Sequence, residues 1–419
     1  MDFSHRVRVL VSEGSSLSAR EAITALGRAG CWIEVCDPNG LCLARFSRFV
    51  RRVHRCPHFA SDPIAYYRFV HELLESGRYD VLYPAHEQVY LFARERRALS
   101  ALAGVPVPSF EAVERVQGKV AMAATFEQLR IPMPPTRVVH DAEAARRAVL
   151  QVGRPCYVKA NIGTASGTIW RVTDEASLDH ALSDLRTLGV LTSGAVVQGF
   201  APGILERIYA LADRGHLVAA HTVQQLRAGP RGGDVQKVSV DRPAARAHVA
   251  RLVEELGWHG ALSIDYLRDG CEGTERFVDA NPRLAEPGNA LRCGLDLPML
   301  LVRLGLGEAI DDQPPGEIGI KTHMAIQAVI LPATRGASRF EILRTLAALI
   351  LGRGAFRGSH ESLCPVWTDP PSVLPVGFVA LQLLLSPARW QALAARQVGS
   401  YALSEDAARV IREMPEEPI

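Results

Sequence analysis

The chain lacks the features that mark several common classes. Its eight cysteines are scattered and form no CxxC pair. A paired-cysteine zinc site and a disulfide scaffold are therefore not expected, and reduced thiols in a cytoplasm are. The formal net charge is only +2, so no excess of one sign points to nucleic acid or to a membrane. The longest apolar run, Val373 to Leu385, is interrupted by Pro375 and Gln382 and is too short to span a bilayer. The start, MDFSHRVRVLVSEG, has no apolar signal core, so a cytoplasmic protein is expected. GxGxxG and GxxxxGKS are missing, as are repeats and a nucleophile elbow. What remains is 419 residues, 48% apolar and 22% charged. That is an ordinary globular chain, long enough for two or three domains with real cores.

Val7 to Ser12, a helix with Ala22, Leu26 and Ala29 on one face, and Cys31 to Cys36 give strand, helix, strand. That order implies a parallel βαβ unit. His54, Cys56 and His58 alternate in VHRCPHF, but no fourth ligand is near and a loop is the better account. Tyr79 to Pro84 is a further strand, followed by His86 and Glu87. Open α/β sheets bind ligands just beyond such strand ends. Glu87 is a candidate there, although helix capping is the simpler role. GVPVP at 104–108 marks a boundary, giving an α/β domain over 1–105.

The stretch 262–283, LSIDYLRDGCEGTERFVDANPR, is the most informative in the chain. It reads as two strands joined by a polar turn. Alternation puts Ser263 and Asp265 on one face of the first strand, with Phe277, Asp279, Asn281 and Arg283 sharing a face of the second. A hairpin centred near Glu272 sets Asp265 opposite Asp279, and like charges opposed across a ladder are destabilising. Two carboxylates and an amide oxygen are hard ligands suited to Mg²⁺. Either aspartate alone reads as a solvated acid; the four polar residues together read as a site.

PCYVKA, with Lys159 near its end, leads into 161–168, NIGTASGT. Gly163 and Gly167 let the backbone approach an anion, Thr164, Ser166 and Thr168 bring hydroxyls, and Lys159 adds a point charge. A small polar loop between strands would look the same. Gln198 and Phe200, at the end of AVVQGF, could line a base pocket or simply a core strand. Residues 226–235, LRAGPRGGDV, read as a glycine-rich basic loop with Lys237 just beyond. In the tail, Met324 to Leu331 looks like a strand, Phe340 to Leu351 like an apolar helix, and His360-Glu361-Ser362 like a chance triad.

In this order, these stretches and VQGKVAMAATFEQLRIPMPPT resemble the ATP-grasp superfamily from about residue 5 to about residue 310. The resemblance implies an α/β fold of the α+β grasp kind. A parallel βαβ pre-grasp domain (1–105) precedes a two-subdomain ATP-grasp domain (106–315), whose lid covers about 120–198. Residues 316–419 form a small mixed domain of unassigned role. Position by position, the resemblance makes Lys119 and Lys159 the two ATP lysines. Gly163, Thr164, Ser166 and Gly167 belong to the phosphate loop, Gln198 and Phe200 to the adenine hinge, and Glu206 falls near the ribose-binding acid. Asp265, Asp279 and Asn281 become ligands of Mg²⁺, with Mn²⁺ as an alternative, and Arg283 contacts phosphate or the acyl intermediate. Both metal acids are commonly Glu in the family; here both are Asp.

The implied activity is an ATP-dependent carboxylate–amine ligase acting through an acyl phosphate and releasing ADP and phosphate. Lys159 and Arg283 carry the catalytic burden. The partners are a small carboxylate and an amine, with neither nucleic acid nor membrane, and a homodimer is common among relatives. The competing readings are an ATP-binding regulatory or scaffold protein without turnover, and an ATP-grasp enzyme with a non-amine acceptor.

Overall fold

The computed structural model describes residues 6–163, 167–191, 193–230, 233–270, 273–389 and 401–415. The first sheet holds β1 (Arg8–Val11), β2 (Trp32–Cys36), β3 (Val50–His54) and β4 (Val81–Tyr83) in the order β3-β2-β1-β4, all parallel. β1 is covered on both faces: Val9 and Val11 enter one core cluster and Leu10 another. This is why its sequence is continuously apolar rather than alternating. Each such fully buried aliphatic side chain contributes about 1.5–3 kcal/mol. The helices beside this sheet start where their caps dictate. Ser16 accepts from Ala19 N at the head of Leu17–Arg28, and Asp62 does the same for Pro63–Glu75, with proline at the first turn.

The second sheet is antiparallel, in the order β5-β8-β6-β7. Its strands are β5 (Thr136–Val139), β6 (Cys156–Ala160), β7 (Ile169–Val172) and β8 (Ala195–Gly199). The helices Ala142–Val152 and Glu175–Thr187 close a separate small core with it. It falls inside the span expected for a lid.

The third sheet has seven strands in the order β13-β12-β9-β10-β11-β14-β15. These are β9 (Ile204–Asp213), β10 (His216–Ala228), β11 (Asp234–Val240), β12 (Gly260–Arg268), β13 (Glu275–Asn281), β14 (Lys321–His323) and β15 (Ser359–Glu361). One face packs on the helix Pro243–Glu255 through Ile208, Leu262, Ile264, Tyr266 and Phe277. The other carries the polar residues of the site. The boundary expected at 316 falls within this sheet, because β14 pairs with β11 and β15 with β14.

Met324 to Leu331 is not a strand. The strand ends at His323, and Ala325–Thr334 is a helix. An apolar run of that length has no decisive period, so helix and strand compete on equal terms. The basic loop at 226–235 is also shorter than its composition suggests: β10 runs to Ala228 and β11 begins at Asp234. Lys237 is thus a buried strand residue. His54 bonds Glu34 Oε2 at 2.6 Å and Tyr79, and no metal-holding group of three or more His, Cys, Asp or Glu occurs among the described residues. Glu361 accepts from the backbone N–H of Ala325, Leu363 and Cys364, which leaves the HES triplet structural.

Candidate active site

β12 and β13 pair so that Asp265 stands opposite Asp279 and Ser263 opposite Asn281. These two pairings are the expected ones, but the expected placement of Phe277 on the Asp279 face is not: the register shifts between Asp265 and Tyr266, so Phe277 stands opposite Tyr266 and turns into the core on the other face. Arg207 on β9 lies beside Asp265 and donates to its Oδ1 at 2.9 Å, while its other branch pairs with the buried Asp234. Burial chiefly, with Asp279 and Asp234 adding to it against Arg207, pushes Asp265 up to about 6. Asp279 behaves oppositely. Burial opposes its charge, but Lys119 donates to Oδ1 and, with Lys159, brings its carboxyl below the usual range. Two carboxylates and the Asn281 amide oxygen supply hard donors on adjacent strands. Two carboxylates set opposite each other repel, and a divalent cation between them would relieve that repulsion, so the residues fit Mg²⁺.

Both lysines are buried and reach this face from elsewhere in the chain. Lys159, on β6, donates to Gln198 Oε1 at 2.7 Å and to Val278 O at 3.1 Å. Burial, with help from Lys119 and against Asp279 and Asp265, pushes it down to about 8. Lys119 opens the helix Lys119–Gln128. Asn161, two residues beyond Lys159, ties the two together: its carbonyl accepts from Lys119 N at 2.8 Å and its side chain from Val120 N at 3.1 Å. Nothing in the sequence singled out Asn161. Its only advance signal was its place at the carboxyl end of the lysine strand.

Gly163 follows, and a Cβ there would come within 1.7 Å of Thr168 Oγ1, so the close hairpin of β6 and β7 needs glycine. Gly167 stands two residues before β7, whereas Thr164 and Ser166 lie outside the described residues. Gln198 is buried and its Nε2 donates to Thr136 Oγ1 at 3.1 Å; Phe200, just past β8, is half exposed.

Glu206 is not brought to this face. It stands opposite Tyr266 on the side turned to the helix Pro243–Glu255. Arg242 holds both its oxygens, at 2.8 and 2.7 Å, and the Tyr266 hydroxyl donates to it at 2.9 Å. Strand neighbours face opposite ways, so Arg207, one residue on, is the one that reaches the site.

Arg283 is buried at the end of β13. Ser263 Oγ pins its carbonyl at 2.7 Å. Its guanidinium reaches Glu87 Oε1 from Nε and Nη2 at 3.4 Å, and Asn281 Oδ1 at 3.3 Å. Glu87 caps nothing. It also takes Gln117 Nε2 at 2.9 Å, so it links the first sheet to the hairpin. His86 lies next to it and packs, tilted by 45° with ring centroids 4.1 Å apart, against Tyr401 from the tail; burial, then Arg283, pushes its pKa well down. Lys237 and Glu286 form a buried pair at 3.0 Å on the same side. Glu286 holds a left-handed backbone, φ 44°, a strained conformation of the kind that collects at binding sites.

No family model matches the chain. The chain is 26% identical over 244 residues to the carbamoyl phosphate synthase large chain of Thermus thermophilus. That match covers 55% of this chain and 23% of the relative, so the chain corresponds to about a quarter of that protein's length. Among solved structures, an ADP complex of PurK, N5-carboxyaminoimidazole ribonucleotide synthetase, superposes with a TM-score of 0.61 at 13% identity. It covers 95% of this chain and 100% of that one, the tail included. The biotin carboxylase domain of Hydrogenobacter thermophilus 2-oxoglutarate carboxylase, solved with MgADP and bicarbonate, gives 0.61 at 15% identity over 76% of this chain and 74% of that one. At these identities the likeness shows a shared fold, the mixed α/β architecture in which this chain carries a small antiparallel sheet beside a larger one.

Proposed function

We propose that the chain is an ATP-dependent carboxylate–amine ligase that activates its acid as an acyl phosphate. The observation that carries this reading is the meeting of two buried lysines with Asp265, Asp279, Asn281 and Arg283 on one sheet face. A carboxylate is a poor acceptor for an amine because its leaving group is oxide; phosphorylation makes the leaving group phosphate. The protein has mainly to hold the reactants in line and balance charge.

Asp265, Asp279 and Asn281 would hold Mg²⁺, which when bound would supply positive charge to offset that of the phosphates. Lys119 and Lys159 bind the phosphates from the lid side, and the Gly163–Gly167 backbone caps them. Gln198 and Phe200 border the base at the hinge between the small sheet and the large one. Arg283, braced by Glu87, steadies the transferring group and then the oxyanion formed as the amine attacks. No covalent nucleophile on the chain is required. Residues 120–198 act as the lid.

The test is an ADP-release screen of acids against amines with Mg²⁺. Bicarbonate belongs among the acids because the 2-oxoglutarate carboxylase neighbour was solved with it. Acid- and amine-dependent ADP with a coupled product supports the ligase. ATP binding with no turnover in any pairing would leave a regulatory protein instead.

A further inference from the structure

We propose that the tail docks on the surface of an anionic lipid bilayer through the outward faces of its two apolar helices, Arg339–Leu351 and Val373–Leu385. Both pack on the helix Ala325–Thr334 and on each other. They run side by side in opposite directions, because Arg339 Nη2 at the head of one donates to Leu385 O at the foot of the other at 3.0 Å.

Their inner faces complete a core with Ile342, Val376, Val379 and Leu383. Their outer faces are equally apolar. Leu374, Phe378, Leu381 and Leu385 follow helical spacing along one helix and all are exposed. Phe340, Leu343 and Ile350 do so along the other, with Phe340 71% and Ile350 81% exposed. Trp367, in the turn that leads into the second helix, is 97% exposed. Val373–Leu385 contains no charged residue. Exposed apolar area on this scale marks an interaction surface.

The charge around this face selects the occupant. Arg335, Arg344, Arg353 and Arg357 are exposed. Of the three acids between 335 and 389, two are turned inward. Asp369 is buried against Arg20 and Ser47, and Glu361 takes three backbone N–H groups. Only the half-buried Glu341 remains, and it closes its own helix cap. A second copy would bring arginines against arginines with no acids to pair them. An anionic bilayer complements both parts. Apolar helices lie in its interface, tryptophan sits at headgroup level, and long basic side chains reach the phosphates. Each helix has 13 residues, about 20 Å, which suffices to lie on a membrane but not to cross it. The overall charge of +2 concealed this, because the asymmetry is local.

The experiment is flotation of the full chain with vesicles of phosphatidylcholine alone, and of phosphatidylcholine and phosphatidylglycerol in equal parts. The chain should float with the mixed vesicles, and added salt should release part of it. Phe378→Asp and Leu381→Asp should each lower partitioning by about ten-fold or more, with an unchanged thermal midpoint because both side chains are exposed. Arg344→Glu should weaken binding to the mixed vesicles only. The proposal is overturned if the wild-type chain stays at the bottom with mixed vesicles, or if Phe378→Asp floats as well as wild type. A chain that ignores vesicles but sediments as a dimer split by Phe378→Asp would show that a second copy covers the face.

Discussion

Lys119 Nζ donates to Asp279 Oδ1 across 160 residues of chain, and this pair ties the head of the helix Lys119–Gln128 to β13. The acid lies at the end of β13 and the lysine at the head of a helix that Asn161 holds in place. Asp279→Asn keeps the shape but removes the charge that Lys119 holds and that the proposed metal would need. It should lower ADP release by about 10²–10³-fold, the scale on which one aimed electrostatic partner counts. Circular dichroism should be unchanged. Full turnover by this variant would remove the metal assignment.

Lys159 donates only to neutral oxygens, those of Gln198 and Val278, among its hydrogen bonds here. Its charge is therefore held for something else. Lys159→Ala should weaken ATP binding by about ten- to a hundred-fold, the loss of one or two charge-assisted bonds. Calorimetry reads this directly, and an unaltered affinity would count against the phosphate-loop reading.

Glu87 braces Arg283 and touches neither lysine nor metal acid in any bond seen here. It is a positioning residue. Glu87→Ala frees the Arg283 guanidinium at the moment charge develops, so kcat should fall about ten-fold or more. The ATP affinity should stay at the wild-type level. Loss of ATP binding together with kcat would mean that the whole site had moved.

The aspartate pair of the hairpin was legible, since Asp265 did meet Asp279, but the bulge beside Asp265 that turns Phe277 to the other face was not, because alternation alone carries no sign of an extra residue. The lysine strand and Gly163 were legible from local sequence too. Glu206 was not, since an alignment slip of one residue along a strand changes the face, and its true partner Arg242 lies 36 residues on. Glu87 looked like a cap because its partner Arg283 is 196 residues distant. The tail was opaque. Its short strands β14 and β15 take their meaning only from β11, to which 80-odd residues of chain must return.

Glu206 itself gives a prediction that separates the two assignments. Glu206→Gln removes the charge that Arg242 holds on the far face, a buried partner whose loss costs about 3–5 kcal/mol at most. The thermal midpoint should fall while ATP affinity, measured at a temperature where the variant is folded, stays at the wild-type value. A selective loss of ATP affinity without loss of stability would return Glu206 to the ribose.

Glu13 lies buried at the carboxyl end of β1, and burial first, then Asp37, lifts its pKa from 4.5 to about 7 against the serine hydrogen bonds. An acid raised in the folded state keeps a proton that the unfolded chain has already lost. Between pH 4.5 and about 7 the folded chain therefore binds more protons, and stability must fall as pH rises through that window, then level off above it. Glutamine can keep most of the contacts. Its oxygen can take the Ser15 and Ser16 N–H groups, now 2.7 and 2.8 Å from Oε2, and its amide can donate to Ser16 Oγ. Glu13→Gln should thus match the wild type near pH 4.5 and exceed it in denaturant midpoint at pH 8. The slope between should be flatter. Parallel wild-type and variant curves across that window would show that Glu13 is ionised in the fold and that its serine donors outweigh its burial.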